Sequence, residues 1–181
     1  TAPIYPQLKW AKKHGIHADV IIGTKTKSTL ILEDMMKEYA DSLYVCTDDG
    51  SYGMHGLVTD AIKHLVEEKK EKYDEVVAIG PMVMMKFVSL LTKELGIQTT
   101  VSLNSLMVDG TGMCGACRVT IDGKTKFTCV DGPEFDAHLV DFDEAIRRQS
   151  MFKTHEIATD SKDHKCNLVY VSSANKAIEY A

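Results

Sequence analysis

The sequence predicts an α/β fold, a doubly wound parallel sheet followed by a small cysteine-rich β-hairpin segment. Three observations carry this reading. Short apolar runs alternate with helical patterns from residue 1 to about 105, which is the signature of strands and crossover helices. Asp109, Cys114, Cys117 and Cys129 then follow in the spacing D-x4-C-x2-C-x11-C, four metal-seeking side chains within 21 residues. Between the last two cysteines, Arg118 to Ile121 and Lys124 to Phe127 alternate around Asp122-Gly123, a strong hairpin signal.

The elements can be taken in order. Tyr5 to Lys13 reads as a short helix, with Pro6 in its first turn and Gly15 just past its end. Ala18 to Ile22 is a short apolar strand that stops at Gly23. Leu30 to Tyr39 is an amphipathic helix, with Thr26 or Ser28 available as cap. Leu43 to Thr47 is the next strand, and residues 48–53 form a loop. Val58 to Lys70 is helical with a charged C-terminal half. Glu75 to Ile79 is a strand broken by Gly80-Pro81, and Met84 to Leu95 is a helix closed by Gly96. Thr99 to Leu103 is the last strand of the sheet.

In the hairpin, a two-residue turn sets Ile121 against Lys124 and, counting back, Cys117 against Thr128. Cys129 is then one step from Cys117, so the third thiol folds toward the first two. Residues 136–160 look helical and covering. Beyond them lies a polar, linker-like stretch and a possible strand, Leu168 to Ser172. The organisation expected is therefore a dinucleotide-type domain at 1–105, a metal-binding segment with its covering helix at 106–158, and a linker and tail at 159–181.

Thr1-Ala2-Pro3-Ile4 reads as the end of a glycine-rich turn entering a helix, with no strand before it. In this type of sheet the first strand is central, so its absence leaves an open position with unpaired backbone. Two arrangements are open. The chain is cut from a longer one, or residues 167–172 fill the position from the other end.

Composition narrows the function classes. There are 21 basic and 26 acidic residues, a net charge of −5, and no Lys/Arg run of the kind nucleic acid binding requires. No apolar run approaches a membrane span and no signal-peptide pattern opens the chain. Five cysteines, three of them clustered, fit metal-binding thiolates in the reducing cytoplasm better than a secreted disulfide framework. Cys46 and Cys166 stand apart and read as incidental thiols. No Ser/His/Asp triad, paired carboxylates or spaced histidine pair is present, so no catalytic residue is assigned.

On spacing alone, Asp109, Cys114, Cys117 and Cys129 suit an iron–sulfur cluster or a structural zinc ion, the latter with His138 as a further ligand. Gly110, Gly112 and Gly115 favour the cluster, because they let backbone N–H groups turn toward its sulfides. Asp109 also has a competing role as a turn former before Gly110. At the strand ends, Gly23, Thr24 and Lys25 form a solvated loop that suits a ribose or a 2′-phosphate. Thr47, Asp48, Asp49, Gly50 and Ser51 suit ribose hydroxyls and a carboxamide, or simply a turn. Gly80 and Pro81 would bring backbone close to a flat ring. Met82, Met84 and Met85 follow, and methionines there are more often core.

Several long motifs together resemble a known family. They are Thr1 to Lys9, Cys46-Thr47-Asp48-Asp49-Gly50-Ser51-Tyr52-Gly53, Ala78 to Pro81 with Met84-Met85-Lys86-Phe87, Val108 to Arg118, and Cys129 to His138. Over roughly residues 1–158 the chain resembles the C-terminal part of the small subunit of NADH-dependent reduced ferredoxin:NADP oxidoreductase, also described as sulfide dehydrogenase. That group is related to the electron-transfer subunit of dihydroorotate dehydrogenase, within the ferredoxin reductase superfamily. The resemblance implies FAD on an N-terminal barrel domain absent here, and NAD(H) or NADP(H) on the α/β domain, with NAD(H) the expected one. It implies a 2Fe-2S cluster held by Asp109, Cys114, Cys117 and Cys129. It implies that Thr1, Ala2 and Pro3 end the phosphate loop, and that Gly80, Pro81 and Met82 lie by the nicotinamide or flavin. Many relatives have cysteine before this Gly-Pro, whereas this chain has Ile79. The expected partners are a larger flavin/iron–sulfur subunit and ferredoxin, with no nucleic acid and no membrane. The isolated chain, lacking the flavin, is expected not to oxidise NADH. The other class of function left open is a non-catalytic electron-transfer or docking module with a structural zinc site.

Overall fold

The computed structural model describes residues 1–154 and 157. Residues 159–181, with the strand expected at 168–172, lie outside the described residues. The chain divides into a compact unit, Thr1–Ile146, and a second, Arg147–Ala181. In the latter, the described residues carry the end of one helix and a turn in which Met151 N–H reaches the Arg148 carbonyl.

The first unit opens with α1 (Ile4–Lys13), which buries Leu8 and ends where Gly15 takes a left-handed φ of 69°. Strand β1 (Asp19–Thr24) pairs in parallel with β2 (Ser42–Thr47), from Asp19 opposite Ser42 to Thr24 opposite Thr47. Between them, α2 (Glu33–Tyr39) covers one face. Thr26 does not cap α2: it caps a 3-10 turn at Lys27–Thr29, and α2 begins after Leu32 at a φ of 61°. The cause is local, because Thr29 Oγ1 returns a hydrogen bond to the Thr26 carbonyl and closes the turn early. Leu8, Val20, Ile22 and Met36 form the core of this half.

A short third strand, β3 (Met54–His55), extends the ladder beside β2. Helix α3 (Val58–Lys63) then widens into a π turn over His64–Glu68, so the expected single helix to Lys70 changes register before its end. Strands β4 (Glu75–Ala78) and β5 (Gln98–Ser102) pair in parallel around α4 (Met82–Glu94). The hairpin β6 (Arg118–Ile121) and β7 (Lys124–Phe127) has the register expected from the turn, with Ile121 against Lys124 and Arg118 against Phe127. A one-turn helix, α5 (Thr128–Asp131), leads into β8 (Glu134–Asp136), which adds antiparallel to β5. Helix α6 (Phe142–Gln149) closes the described order and buries Phe142 and Ala145.

The strands form two three-stranded ladders, β1-β2-β3 and β4-β5-β8, plus the hairpin. Among the described residues β1 and β4 do not pair. The second ladder has its own core, built on Met85, Val88, Val101, Val119, Ala137 and Phe142, and Ile21 of β1 packs against it. The two ladders also meet where the Tyr73 hydroxyl donates to Asp19 Oδ2 at 2.7 Å.

Candidate functional site

The cysteine segment is positioned by the hairpin. Thr128 sits opposite Cys117, as the register requires. Its N–H donates to the Cys117 carbonyl at 3.1 Å and its hydroxyl to the same oxygen at 3.0 Å. Thr128 is fully buried and its hydroxyl also meets Ser105 Oγ at 3.0 Å. That clamp sets Cys129 beside Cys117, with their sulfurs 3.3 Å apart. The Cys129 N–H points at Cys117 Sγ, 3.5 Å away. Cys117 is buried, Cys129 half-buried and Cys114 exposed.

The Cys129 thiol is pushed above its usual range, first by its hydrogen bond with Cys117 and then by burial, while the Gly112 N–H works the other way. Asp131 accepts the Phe127 N–H at 2.7 Å, which fixes the chain just before Thr128 and Cys129 and holds the Asp131 carboxyl below the ordinary range. Asp131 was not anticipated from the sequence; an Asp four residues after a strand end is the signal that would find it.

Asp109 makes the turn that Asp-Gly predicts. Its Oδ1 accepts the Thr111 N–H at 2.5 Å, making a turn around Gly110, whose φ is 81°. The hydrogen bonds from Thr111 are the main cause that holds the Asp109 carboxyl below the ordinary range. Of the four candidate ligands, Asp109 and Cys114 share one glycine-rich loop, while Cys117 and Cys129 lie side by side at the hairpin end. Among the described residues no three Cys, His, Asp or Glu converge on one point. The hairpin thus brings Cys129 to Cys117 but not to Cys114. Gly112 lies against Val130, its absent Cβ 3.0 Å from a valine methyl, so the glycine-rich loop rests on α5.

The donors fit the group expected here. Two thiolates on one tetrahedral metal lie ~3.8 Å apart for metal–sulfur bonds of about 2.3 Å, close to the separation of Cys117 and Cys129. Gly110, Gly112 and Gly115 all have left-handed φ values, between 67° and 82°, leaving the loop's N–H groups able to face sulfur. His138, the further zinc ligand considered above, is engaged elsewhere: Nε2 meets Thr92 Oγ1 at 3.2 Å and Nδ1 lies 3.9 Å from Asp136.

The candidate dinucleotide residues lie at strand carboxyl ends and at the start of α1. Ile4 and Tyr5 N–H groups bond to the Thr1 and Ala2 carbonyls, so Thr1, Ala2 and Pro3 form the first turn of that helix. Gly23 lets α3 approach β1, since a Cβ there would meet Val58 at 2.6 Å. The loops after β1 and β2 are stitched together. Asp48 N–H bonds the Thr24 carbonyl and Asp49 N–H the Lys25 carbonyl. Ser51 Oγ accepts the Lys27 N–H at 2.9 Å, and the Lys27 ammonium lies 4.6 Å from the centre of the Tyr52 ring.

Within the second loop, Thr47 is fully buried and its hydroxyl is spent on the Tyr52 backbone, donating at 2.7 Å and accepting at 3.2 Å. Asp49 folds back on Ser51, which holds its carboxyl below the usual range. Gly50 carries a φ of 68° beside His55. After β4, Gly80 is crossed by the Met84 side chain, Pro81 is exposed, and Met82 lies in the core at 3% exposed. The Tyr52–Glu33–Lys37 chain supporting these loops, with Tyr52 Oη donating to Glu33 at 2.8 Å, was not legible as a site: its pairing spans 19 residues. Cys46 is buried beneath, its thiol pushed up by burial. No helix among the described residues is long and apolar enough to cross a membrane.

Comparison with known proteins gives this geometry its context. Residues 104–141 match the iron–sulfur cluster binding domain of dihydroorotate dehydrogenase B. The chain is 61% identical over 155 residues to an uncharacterised protein in the adh 3′ region of Clostridium beijerinckii, covering 86% of this chain and 52% of that one. It is 50% identical over 155 residues to a homologue of the dihydroorotate dehydrogenase B (NAD(+)) electron transfer subunit from Thermotoga maritima, covering 86% and 54%. A solved structure of NADH-dependent reduced ferredoxin-NADP oxidoreductase, studied for flavin-based electron bifurcation, superposes with a TM-score of 0.77 at 48% identity. That match covers 86% of this chain and 55% of the other. The chain spans about half the length of the curated relatives it matches. With a ferredoxin-reductase-like α/β fold and a matched iron–sulfur segment, the chain belongs to the family of electron-transfer subunits shared by dihydroorotate dehydrogenase B and the reduced ferredoxin-NADP oxidoreductase.

Proposed function

We propose that the chain holds a 2Fe-2S cluster on Asp109, Cys114, Cys117 and Cys129 and binds a pyridine dinucleotide at Thr1–Pro3 and the loops after β1, β2 and β4. On this reading it is part of an FAD-dependent, cytoplasmic NAD(P)H:ferredoxin-type oxidoreductase. The flavin sits on a domain beyond this chain, and a larger flavin/iron–sulfur subunit and ferredoxin are the partners. The observation that carries the reading is the Cys117–Cys129 pair, sulfurs 3.3 Å apart, beside a glycine-rich loop that carries Asp109 and Cys114. A two-iron cluster takes two protein ligands on each iron, whereas structural zinc takes four donors around one point. Cys117 and Cys129 would hold one iron, leaving Asp109 and Cys114 to hold the other.

The bound cluster supplies one-electron transfer next to a two-electron carrier. The chain's own residues orient and insulate. Thr128 and Ser105 hold Cys117 in a buried floor, while Cys114 lies on the exposed side. The positive end of the α1 dipole favours a pyrophosphate beside Thr1–Pro3. The stitched loops offer Asp48, Asp49 and exposed Lys25 to a ribose. Lys27 is engaged over Tyr52, which supports NAD(H) over a 2′-phosphorylated dinucleotide.

Anaerobic reconstitution with iron and sulfide tests the reading. The expected protein is brown, with charge-transfer bands and equal iron and acid-labile sulfide. A colourless protein that instead retains zinc through gel filtration would overturn it. Titration with NADH and NADPH, followed by tryptophan fluorescence, checks the preference, and tighter NADPH binding would reverse it. Without added flavoprotein, the chain should show no diaphorase activity.

A further inference from the structure

The sequence offers Cys114 and Cys117 as the obvious dithiol, two residues apart. The structure pairs the thiols differently. Cys114 is exposed, whereas Cys117 and Cys129 have their sulfurs 3.3 Å apart across the hairpin end. We propose that Cys117 and Cys129 form a reversible disulfide in the metal-free protein, removing two ligands from the site until a dithiol restores them.

The geometry is already prepared. Disulfides need closely apposed Cβ atoms and a sulfur separation of about 2.05 Å, so the two sulfurs have only ~1.3 Å to close. The backbone on both sides is fixed by the two Thr128 hydrogen bonds to the Cys117 carbonyl and by Asp131 on the Phe127 N–H. Closing the bond therefore asks for side-chain rotation rather than rearrangement of the hairpin.

Access sets the order of events. Within this pair Cys117 is 2% exposed and Cys129 half-buried, so a small-molecule disulfide such as oxidised glutathione meets Cys129 before Cys117. The Cys129 thiolate attacks one sulfur of the oxidant, forming a mixed disulfide and releasing one glutathione thiolate. The Cys117 thiolate then attacks Cys129 Sγ and releases the second. Two protein thiols are oxidised, one glutathione disulfide is reduced to two glutathione molecules, and the two thiol protons end on the released glutathione thiolates. The disulfide itself stands independently of the cluster, while its effect on metal uptake rests on the proposed 2Fe-2S site.

The test uses the metal-free full chain, treated with oxidised glutathione under chelator, alkylated and mapped by mass spectrometry. Before alkylation the expected product is about 2 Da lighter than the reduced chain; after it, Cys117 is linked to Cys129 and Cys114 carries the alkyl group. Cys114→Ser should form the same bond, and Cys129→Ser should not. A Cys114–Cys117 bond, or a mixed disulfide that persists on Cys129, overturns the proposal. In a second arm, iron and sulfide uptake by the oxidised chain should fall roughly tenfold or more and return after dithiothreitol. A mapped Cys117–Cys129 bond that leaves iron uptake unchanged would keep the disulfide, but overturn its gating role and count against the cluster ligands. Failure of the reduced chain to take up iron would count against the cluster alone.

Discussion

Tyr73 and Asp19, 54 residues apart, meet through a 2.7 Å hydrogen bond from the phenol to the carboxylate. Asp19 needs that donor. Its other oxygen is buried without a hydrogen-bond partner, although the His17 ring lies 3.5 Å away. Tyr73→Phe leaves a buried carboxylate poorly satisfied and should lower stability by about 1–3 kcal/mol. Urea unfolding followed by circular dichroism measures it, and an unchanged midpoint would refute the role.

The same contact sets a pH response. Burial first, and the bond to Asp19 second, push the Tyr73 phenol well above its usual range. The neutral phenol is therefore favoured more in the folded than in the unfolded chain. Its stabilisation is full below about pH 10, the ordinary tyrosine value, and is lost as pH rises beyond that. The stability difference between wild type and Tyr73→Phe should be constant from pH 7 to 9 and shrink above 10. A difference that grows in alkali would contradict the assignment.

Gly53 is the least replaceable position near the dinucleotide loops. Its φ is 67°, and an added Cβ would lie 2.2 Å from the Val45 carbonyl oxygen, a backbone atom that cannot swing away. Gly53→Ala should cost more than ~2 kcal/mol, combining left-handed strain with displacement of β2. Gly96→Ala, with a left-handed φ but nothing within 4 Å, should cost about 1 kcal/mol. Thermal melts of the two variants give the comparison, and equal costs would sink the steric argument.

Ser51 ties the loop after β1 to the loop after β2 through the Lys27 N–H. Ser51→Ala should loosen this tie, leaving the Asp48 and Asp49 N–H bonds in place, and weaken NADH binding by roughly 3- to 10-fold, the equivalent of one hydrogen bond, with little change in melting temperature. Isothermal titration calorimetry reads this directly. An unchanged Kd would mean that the loops do not jointly form the site.

Asp109→Cys should keep iron and shift the visible bands, because a hard oxygen donor is exchanged for a soft thiolate. Asp109→Ala should take up less iron. If both variants match the wild type in spectrum and iron content, Asp109 serves only the turn around Gly110.

Much of this was readable from residue order because its causes are local. Asp122-Gly123 dictates the turn, the turn dictates the register, and the register sets Thr128 against Cys117. The strand–helix alternation likewise placed β1, β2, β4 and β5 within a residue or two. Strands β3 and β8, two and three residues long, have too few positions for alternation to show. The π turn after α3 was hidden because His64–Glu68 keeps a helical pattern while its hydrogen bonds lengthen. Cys114 was expected near the other thiols because spacing counts residues; in the structure the left-handed Gly112 and Gly115 flank it and it is exposed, while Cys117 and Cys129 adjoin. Thr47 illustrates a different limit: sequence marks a hydroxyl at a strand end, but only packing reveals that the Tyr52 backbone has already claimed it.

The division of the strands into two ladders, each with its own core, bears on how the unit comes apart. Cooperative unfolding requires contacts that make one half depend on the other. Here Ile21, α3 and the Tyr73–Asp19 bond are prominent among them. Amide exchange should accordingly resolve two protection classes, with β1 and β2 opening at a different free energy from β4 and β5. The Tyr73→Phe change should pull the two classes further apart.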